Sequence, residues 1–431
     1  MVQSAAAHAE QPPPEQTDEV MRAADGRPLK ESLQRSMRRN KIKALLLVAP
    51  LGLFILFSFA VPIAAMVWRS VWSPEVANAL DTTVAVMEEE WGGEGVPGEP
   101  VYAALYKDFT TEDPRTMGQL AARVNYVMPG ARSLFGKTAR KLDEIDPSQP
   151  IKPQLIEIDS KWGEADVWQI LYRESDPITL SYYASAIDMR YNADGELVAQ
   201  PSYMQIYRKL FWRTFWMSAL ITFLTILLGF PVSYLLATLP MRISNLLMIL
   251  VLLPFWTSLL VRTSSWIVIL QSEGVLNDVL VTLGIVGDDN RPQMIYNKTG
   301  TIVGMTHILL PFMILPLYSV MKGIPPSYLR AARSLGANPV VAYLRVYVPQ
   351  TVPGLGAGSI LVFILSIGYY ITPALIGGST GQLISNFIAY HMNESLNWHL
   401  AAALGSILLF VVLFLYWLYN KIVGVDAMKL G

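Results

Sequence analysis

The 431-residue chain contains no cysteine, which excludes disulfides and thiolate metal sites. Charge is scarce as well. Asp, Glu, Lys and Arg make up 16% of the residues, against about 25% in soluble domains. The net charge of −1 gives no global case for nucleic acid. No Gly-x-x-x-x-Gly-Lys-Ser/Thr loop is present to cradle a nucleotide phosphate, and no His-Glu-x-x-His pair to hold a zinc ion. The long apolar runs carry no Asp or Glu; Arg262 and His307 are their only ionisable residues. An ion-coupled secondary transporter needs intramembrane carboxylates or broken half-helices, so that class is disfavoured. What remains is a membrane protein with no convincing catalytic cluster, whose energy for any transport must come from a partner or an ion gradient.

Hydrophobic residues make up 52% of the chain and cluster in six long runs. A helix needs about 20 apolar residues to cross a hydrocarbon core of about 30 Å. The runs predict spans near 45–67, 215–239, 246–270, 302–321, 354–376 and 400–419. Residues 1–43 form a polar tail, expected to be disordered, with Lys30, Arg35, Arg38, Arg39, Lys41 and Lys43 crowded before the first run. Basic residues beside a span face the cytoplasm. The tail, Arg242, the 322–353 loop and Lys421 with Lys429 then fall inside, so both termini are expected in the cytoplasm. Pro240 to Asn245 reads as a tight turn between spans two and three, and residues 377–399 as an outer segment with Glu394 as its only acid.

Residues 68–212 are the one large polar region, with 22 acidic and 14 basic residues. By topology the region lies outside and is long enough for a small inserted domain. Thr116–Ile145 reads as helical, Pro150–Ser160 as possible strands, and Asn192-Ala-Asp-Gly-Glu as a turn. Glu88, Glu89 and Glu90 read as a solvated face.

The decisive stretch is Lys322 to Pro353. It holds Lys322, Arg330, Arg333 and Arg345 and no acid. Pro325, Pro326 and Ser327 signal a helix start. Tyr328, Ala332 and Leu335 share a face, and Gly336 stands where that helix would end. Asn338-Pro339 starts a second short helix with an apolar stripe of Val340, Val341, Leu344 and Val348. Pro349 and Pro353 are expected to prevent a clean continuation into the next span.

Arg330-Ala331-Ala332-Arg333-Ser334-Leu335-Gly336-Ala337, with Pro349 and Pro353-Gly354 beyond, resembles the "EAA…G" loop of ABC importer permeases. Arg330 stands where the family pattern has Glu, so packing is expected to matter more there than any single charge. Three further stretches resemble the spermidine/putrescine permease branch. They are Leu253–Thr263 (LPFWTSLLVRT), His307–Tyr318 (HILLPFMILPLY) and Tyr370–Gly378 (YITPALIGG). The resemblance covers roughly residues 205–420 and the first span; it leaves 68–212 unexplained.

The resemblance implies an all-α membrane protein with six transmembrane helices of the type I importer permease fold, here with a large periplasmic insertion between helices 1 and 2. Its segments are a cytoplasmic tail (1–43), helix 1 (44–67), the insertion (68–212), a permease core (213–420) with coupling loop 322–353, and a cytoplasmic tail (421–431). Implied partners are a cytoplasmic ATPase dimer, a second permease subunit, a periplasmic substrate-binding protein and the bilayer of a bacterial inner membrane. ATP and Mg are used by the ATPase, and this chain binds no cofactor. Tyr328, Arg330, Ala331, Ala332, Leu335, Gly336, Ala337 and Asn338 would dock on the ATPase. Trp256, Thr257, Arg262, Tyr369 and Tyr370 are the candidates for the substrate pathway, since aromatic faces suit an alkyl diammonium. The cargo expected from the branch is a polyamine; related branches import opines, thiamine or ferric iron.

Overall fold

The computed structural model describes residues 29–192 and 194–423, with side chains from Met37 to Lys421. The first unit ends at Ala65 and the second begins at Met66. The first unit is helical throughout its described part. Helix α1 (Leu29–Ile55) leads through a π-turn (Leu56–Ala60) into α2 (Val61–Arg69), and the first candidate span is Met37–Arg69. Residues 29–43, expected to be disordered tail, are therefore helix. Their Leu, Gln, Lys and Arg content, free of Gly and Pro, favours that state. The remainder of the expected tail, 1–28, lies outside the described residues, as do Lys429 and most of the C-terminal tail.

The polar region is helical too. It comprises α3 (Glu75–Ala79), α4 (Asp81–Glu90), α5 (Glu99–Thr111), α6 (Pro114–Val124), α7 (Ala131–Arg140), α8 (Ile151–Ile158), α9 (Ala165–Glu174) and α10 (Ser181–Ala186). Strands β1 (Met189–Tyr191) and β2 (Leu197–Ala199) pair antiparallel around the predicted Asn192–Glu196 turn. The strands expected over Pro150–Ser160 are instead α8. Pro150 and Pro153 sit at its cap and first turn, where the missing N–H costs nothing. The Glu99 carboxylate accepts from the N–H groups of Ile151 and Lys152, and Ile151 and Leu155, one turn apart, are buried. Glu88, Glu89 and Glu90 are exposed, as expected.

Helices α3–α9 bury a core of their own around Trp162 and Trp168. Both indoles are completely buried, 5.3 Å apart, and both N–H groups are satisfied. Trp168 donates to the Trp162 carbonyl at 2.8 Å and Trp162 to the Thr138 hydroxyl at 2.9 Å. Tyr102 also donates to the Trp162 carbonyl. The buried Asp108 carboxylate accepts from the Thr83 backbone N–H and hydroxyl.

A buried polar network joins this core to the last helix, α22 (Trp398–Val423). Arg123 on α6 pairs with Glu174 on α9 at 2.5 Å, donates to the Ser73 hydroxyl at 2.9 Å and lies over the Tyr182 ring. Tyr182 stacks on His399 of α22, and His399 bonds both Glu75 and the Arg69 carbonyl. These bonds, with the Ser73 hydroxyl, overcome the desolvation that would raise the Glu75 carboxyl and bring it down to about 2.

Three helices form the centre of the rest of the second unit: α11 (Tyr207–Thr238), α15 (Lys298–Gly323) and α18 (Val348–Gly368). Met217, Ile221, Met305, Leu309, Met313, Leu317 and Val362 are buried where they meet. Gly354 and Gly358 allow α18 to approach α15 closely. A Cβ at Gly354 would come within 3.0 Å of Val320 and of the Pro316 carbonyl, and one at Gly358 within 2.8 Å of the Met313 sulfur. The expected glycine-mediated packing is thus present.

Two expected spans differ from their predicted form. The third is a broken pair, α12 (Met241–Trp256) and α13 (Leu259–Leu270), the latter leading into α14 (Val275–Thr282). The two halves are bent by 99° at Thr257-Ser258, just after Pro254. The expected turn at 240–245 shrinks accordingly, because α12 starts at Met241. The fifth ends at Gly368, and after Tyr369-Tyr370 a separate helix α19 (Ile371–Ile376) follows. The segment beyond holds α20 (Gly378–Gly381) and α21 (Ile384–Asn393). Among the described residues five helices are long and apolar enough to cross a membrane, or six if the bent pair is one span.

Replacing Trp162 by Ala should cost about 3–5 kcal/mol, from lost burial, a cavity and the lost hydrogen bond to the Thr138 hydroxyl. A lowered thermal unfolding midpoint of the detergent-purified chain would report it. An unchanged midpoint would mean that this core does not carry the region's stability.

Candidate functional site

Between α15 and α18 lie two short helices, α16 (Ser327–Ser334) and α17 (Pro339–Ala342). The break between them is built as the sequence predicts. Gly336 takes φ +89°, the left-handed conformation. Its N–H bonds the Arg333 carbonyl at 3.0 Å, and the Ala337 N–H bonds the Ala332 carbonyl at 3.1 Å. These two bonds make a complete Schellman cap. The Asn338 side chain then accepts from the Val341 N–H at 2.8 Å and starts α17.

The loop presents apolar groups outward. Leu335 is 88% exposed and Tyr328 50%, with Val340 and Leu344 also exposed. Arg330, Ala331, Arg333 and Asn338 are exposed; Ala332 and Ala337 are half-buried. Neither Arg330 nor Arg333 has an ion-pair partner among the described residues.

The prolines do not interrupt the chain as expected. A π-turn (Tyr343–Tyr347) joins α17 to α18, so helix runs continuously from Pro339 to Gly368. The first unit shows the same spacing. There the π-turn ends at Ala60, two residues before Pro62; here it ends at Tyr347, two residues before Pro349. A proline ring meets the carbonyl four residues back, and a widened turn at that place moves the carbonyl aside. The turn also anchors the loop. Tyr343 and Tyr347 stack at 5.4 Å, and both pack edge-on against Tyr234 of α11.

The five candidate pathway residues fall at the two helix breaks. Trp256 and Thr257 sit where α12 ends, Tyr369 and Tyr370 where α18 ends, and Arg262 on α13. Trp256 is 72% exposed. The Arg262 Nε is buried without a partner among the described residues. The second halves of the broken helices touch: Thr263 of α13 and Thr372 of α19, both fully buried, have hydroxyls 3.4 Å apart. His307 accepts a hydrogen bond from the Trp266 indole at 3.2 Å, the packed role expected of a lone histidine in a span.

Sequence reasoning missed what holds the second break open. Ser385 and Asn386 of α21 donate to the Tyr369 and Tyr370 carbonyls at 2.7 and 2.8 Å. The Asn386 side-chain oxygen also accepts from the Leu383 N–H at 2.9 Å. One amide thus caps α21 and adds a second donor to the Tyr370 carbonyl, which also accepts from the Ala374 N–H at 3.0 Å. The run Ser385-Asn386, polar within an apolar stretch, was the available signal.

Comparison with known proteins agrees with this arrangement. Residues 226–423 match the family model described as binding-protein-dependent transport system inner membrane component. The chain is 34% identical over 222 residues to the spermidine/putrescine transport system permease protein PotB of Haemophilus influenzae, spanning 51% of this chain and 77% of that protein. The chain belongs to this permease family. The PotB of Escherichia coli is 33% identical over 211 residues, with 48% of this chain and 76% of that protein covered. The inner membrane ABC transporter permease protein YdcU of Escherichia coli is 30% identical over 225 residues, covering 49% and 70%. A solved bacterial ABC transporter involved in the import of alginate is similar at 17% identity and TM-score 0.44, covering 67% of this chain and 99% of that one. The permease is thus a multi-pass inner-membrane transport subunit of the polyamine branch, and not an enzyme. The matched family residues begin at 226, beyond the polar region.

Helix α21 also holds a buried histidine. His391 is hydrogen-bonded to the Tyr207 hydroxyl and the Ser395 hydroxyl, both at 2.8 Å, and burial lowers its pKa to about 4. As pH falls from about 6.5 to 4 the unfolded chain binds this proton first, so stability is lost across that window, by about 2 kcal/mol. Thermal midpoints of the detergent-purified permease at pH 7.5 and 5 should differ less in His391→Gln than in wild type. Equal differences would mean that His391 does not control this loss.

Proposed function

We propose that the permease forms half of the translocation pathway of an ATP-driven importer, moves between inward- and outward-open states, and is driven through the 322–353 loop by a partner ATPase. The observation that carries the reading is mechanical. The exposed α16 is joined through the capped Gly336 turn to α17, the first turn of a continuous helix, 339–368, clamped to α11 by three tyrosines and to α15 by glycine contacts. A push on an exposed end so held is passed to the core as rigid motion. Tyr328, Leu335, Val340 and Leu344 supply the apolar docking surface. Arg330, Arg333 and Arg345 give it a positive sign that suits an acidic groove.

The cargo we infer is a small polyamine such as putrescine or spermidine, supported by the polyamine-permease relatives. Trp256, Thr257, Arg262, Tyr369 and Tyr370 would border the path, because helix breaks free backbone groups and are tolerated at membrane depth where they line a cavity. A second permease completes the path, a periplasmic binding protein delivers the cargo, and ATP with Mg is consumed by the ATPase dimer. With α12–α13 counted as one span the permease crosses six times, both termini are cytoplasmic, and residues 68–212 lie in the periplasm. The basic loops on one side and the acidic region on the other support that orientation.

Purification of the tagged permease from its native membrane in mild detergent should co-isolate a Walker-motif ATPase and a second multi-span chain. Recovery of the permease alone would count against the reading. Gly336→Val should lower uptake strongly, since φ +89° costs a β-branched residue about 1–2 kcal/mol or more. Gly336→Asn, which tolerates that conformation, should retain most of it. Equal uptake by both variants and wild type would refute the lever.

A further inference from the structure

We propose that the cavity at the C-terminal end of α21 is a binding site for the ammonium groups of the cargo, held by Glu394 and the rings of Tyr370 and Tyr390. The proposal rests on the polyamine reading above and adds a place for the positive charge, which the apolar spans do not supply.

The cavity measures about 450 Å³ and is lined by Tyr370, Gln382, Asn386, Tyr390, Asn393 and Glu394 among others. That volume lies within the range of small-molecule sites. Both tyrosines are about half exposed, so their faces are open to a ligand. Ring faces and a carboxylate are the two groups that recognise an alkylammonium ion. Amide oxygens of Gln382 and Asn393 add neutral acceptors.

An exposed acid is more often a solvated surface group, but Glu394 stands in an unusual place. It is the residue that ends α21, and its N–H bonds the Tyr390 carbonyl at 2.9 Å. The C-terminal end of a helix carries partial negative charge, so a carboxylate there is disfavoured unless a cation joins it. None is supplied locally. Residues 377–399 contain no Lys or Arg, and Glu394 has no ion-pair partner among the described residues. On α11, Arg213 donates to the Ser379 and Gln382 carbonyls and Arg208 pairs with Asp188. Carboxylate and helix end both place negative charge beside an aromatic-lined cavity.

The cavity also touches the pathway. Tyr370 is both a lining residue and half of the break after α18, and its carbonyl is held by Asn386, another lining residue. A cation bound here would sit beside the hinge that ends the long core helix. The site could thus receive cargo at the outer mouth and pass it inward when the break moves.

The test uses the whole importer in proteoliposomes, with permease, its second permease, ATPase and binding protein, and with labelled putrescine and spermidine as probes. At saturating loaded binding protein, Glu394→Gln should lower uptake roughly tenfold, the worth of one charge-assisted hydrogen bond. Glu394→Asp should restore most of it, and ATP hydrolysis stimulated by loaded binding protein should persist in both. Wild-type uptake of polyamine matched by Glu394→Gln would overturn the site alone. A loss of uptake accompanied by loss of stimulated hydrolysis and not rescued by Asp would also overturn it, because the residue would then be structural. A wild-type importer that takes up neither polyamine would overturn the cargo reading and the site with it.

Discussion

Helix α18 lies against α15 at a separation that only glycine permits, and the rest of the core is arranged around that contact. Gly354 faces the Pro316 carbonyl and Gly358 the Met313 sulfur, with no room for a methyl group at either place. Within a bilayer, lipid is as apolar as leucine, so helices gain little by hiding apolar surface from one another. Close van der Waals packing takes over as the source of cohesion. A contact of that kind has a defined register and resists sliding. It lets α18 act as a strut, with the exposed α16–α17 pair at one end and the Tyr369-Tyr370 break at the other.

Both ends of the strut solve a backbone problem. At the loop end Pro349 would clash with the preceding turn, and a π-turn widens the helix there and keeps it continuous. At the other end the helix stops; Ser385 supplies a donor to the Tyr369 carbonyl, and Asn386 adds a second donor to the Tyr370 carbonyl, which also accepts from the Ala374 N–H. The strut is therefore stiff where force would enter and jointed where the path would open. The polar region rests on different physics. Its tryptophan-centred core is buried from water, and its link to α22 is an ion-pair and ring network through Arg123, Tyr182, His399 and Glu75.

Much of the 322–353 loop was legible because its signals are local. Gly336 and Asn338 each act within four residues, so their roles follow from residue type and spacing. The prolines misled for a related reason. Proline is a strong breaker by its own chemistry, yet whether a helix ends or widens depends on the packing that follows, and Tyr234, Tyr343 and Tyr347 supply that packing from two helices. The Pro150–Ser160 stretch, read as possible strands, failed similarly: the Glu99 carboxylate, some fifty residues away, fixes a helix start there.

The sequence by itself determined the solvent of each segment, the family, and the geometry of the short-range turns. Hydropathy runs, missing charges and glycine or asparagine at fixed offsets need no partner from elsewhere in the chain. The tertiary structure alone decided which spans are broken and which residues meet at the breaks. Thr263 reaches Thr372, and Asn386 reaches Tyr370, only through long-range packing. The same holds for Glu394, an ordinary surface acid in the sequence that the fold places at a helix end, in a cavity with two tyrosines, without an ion-pair partner among the described residues.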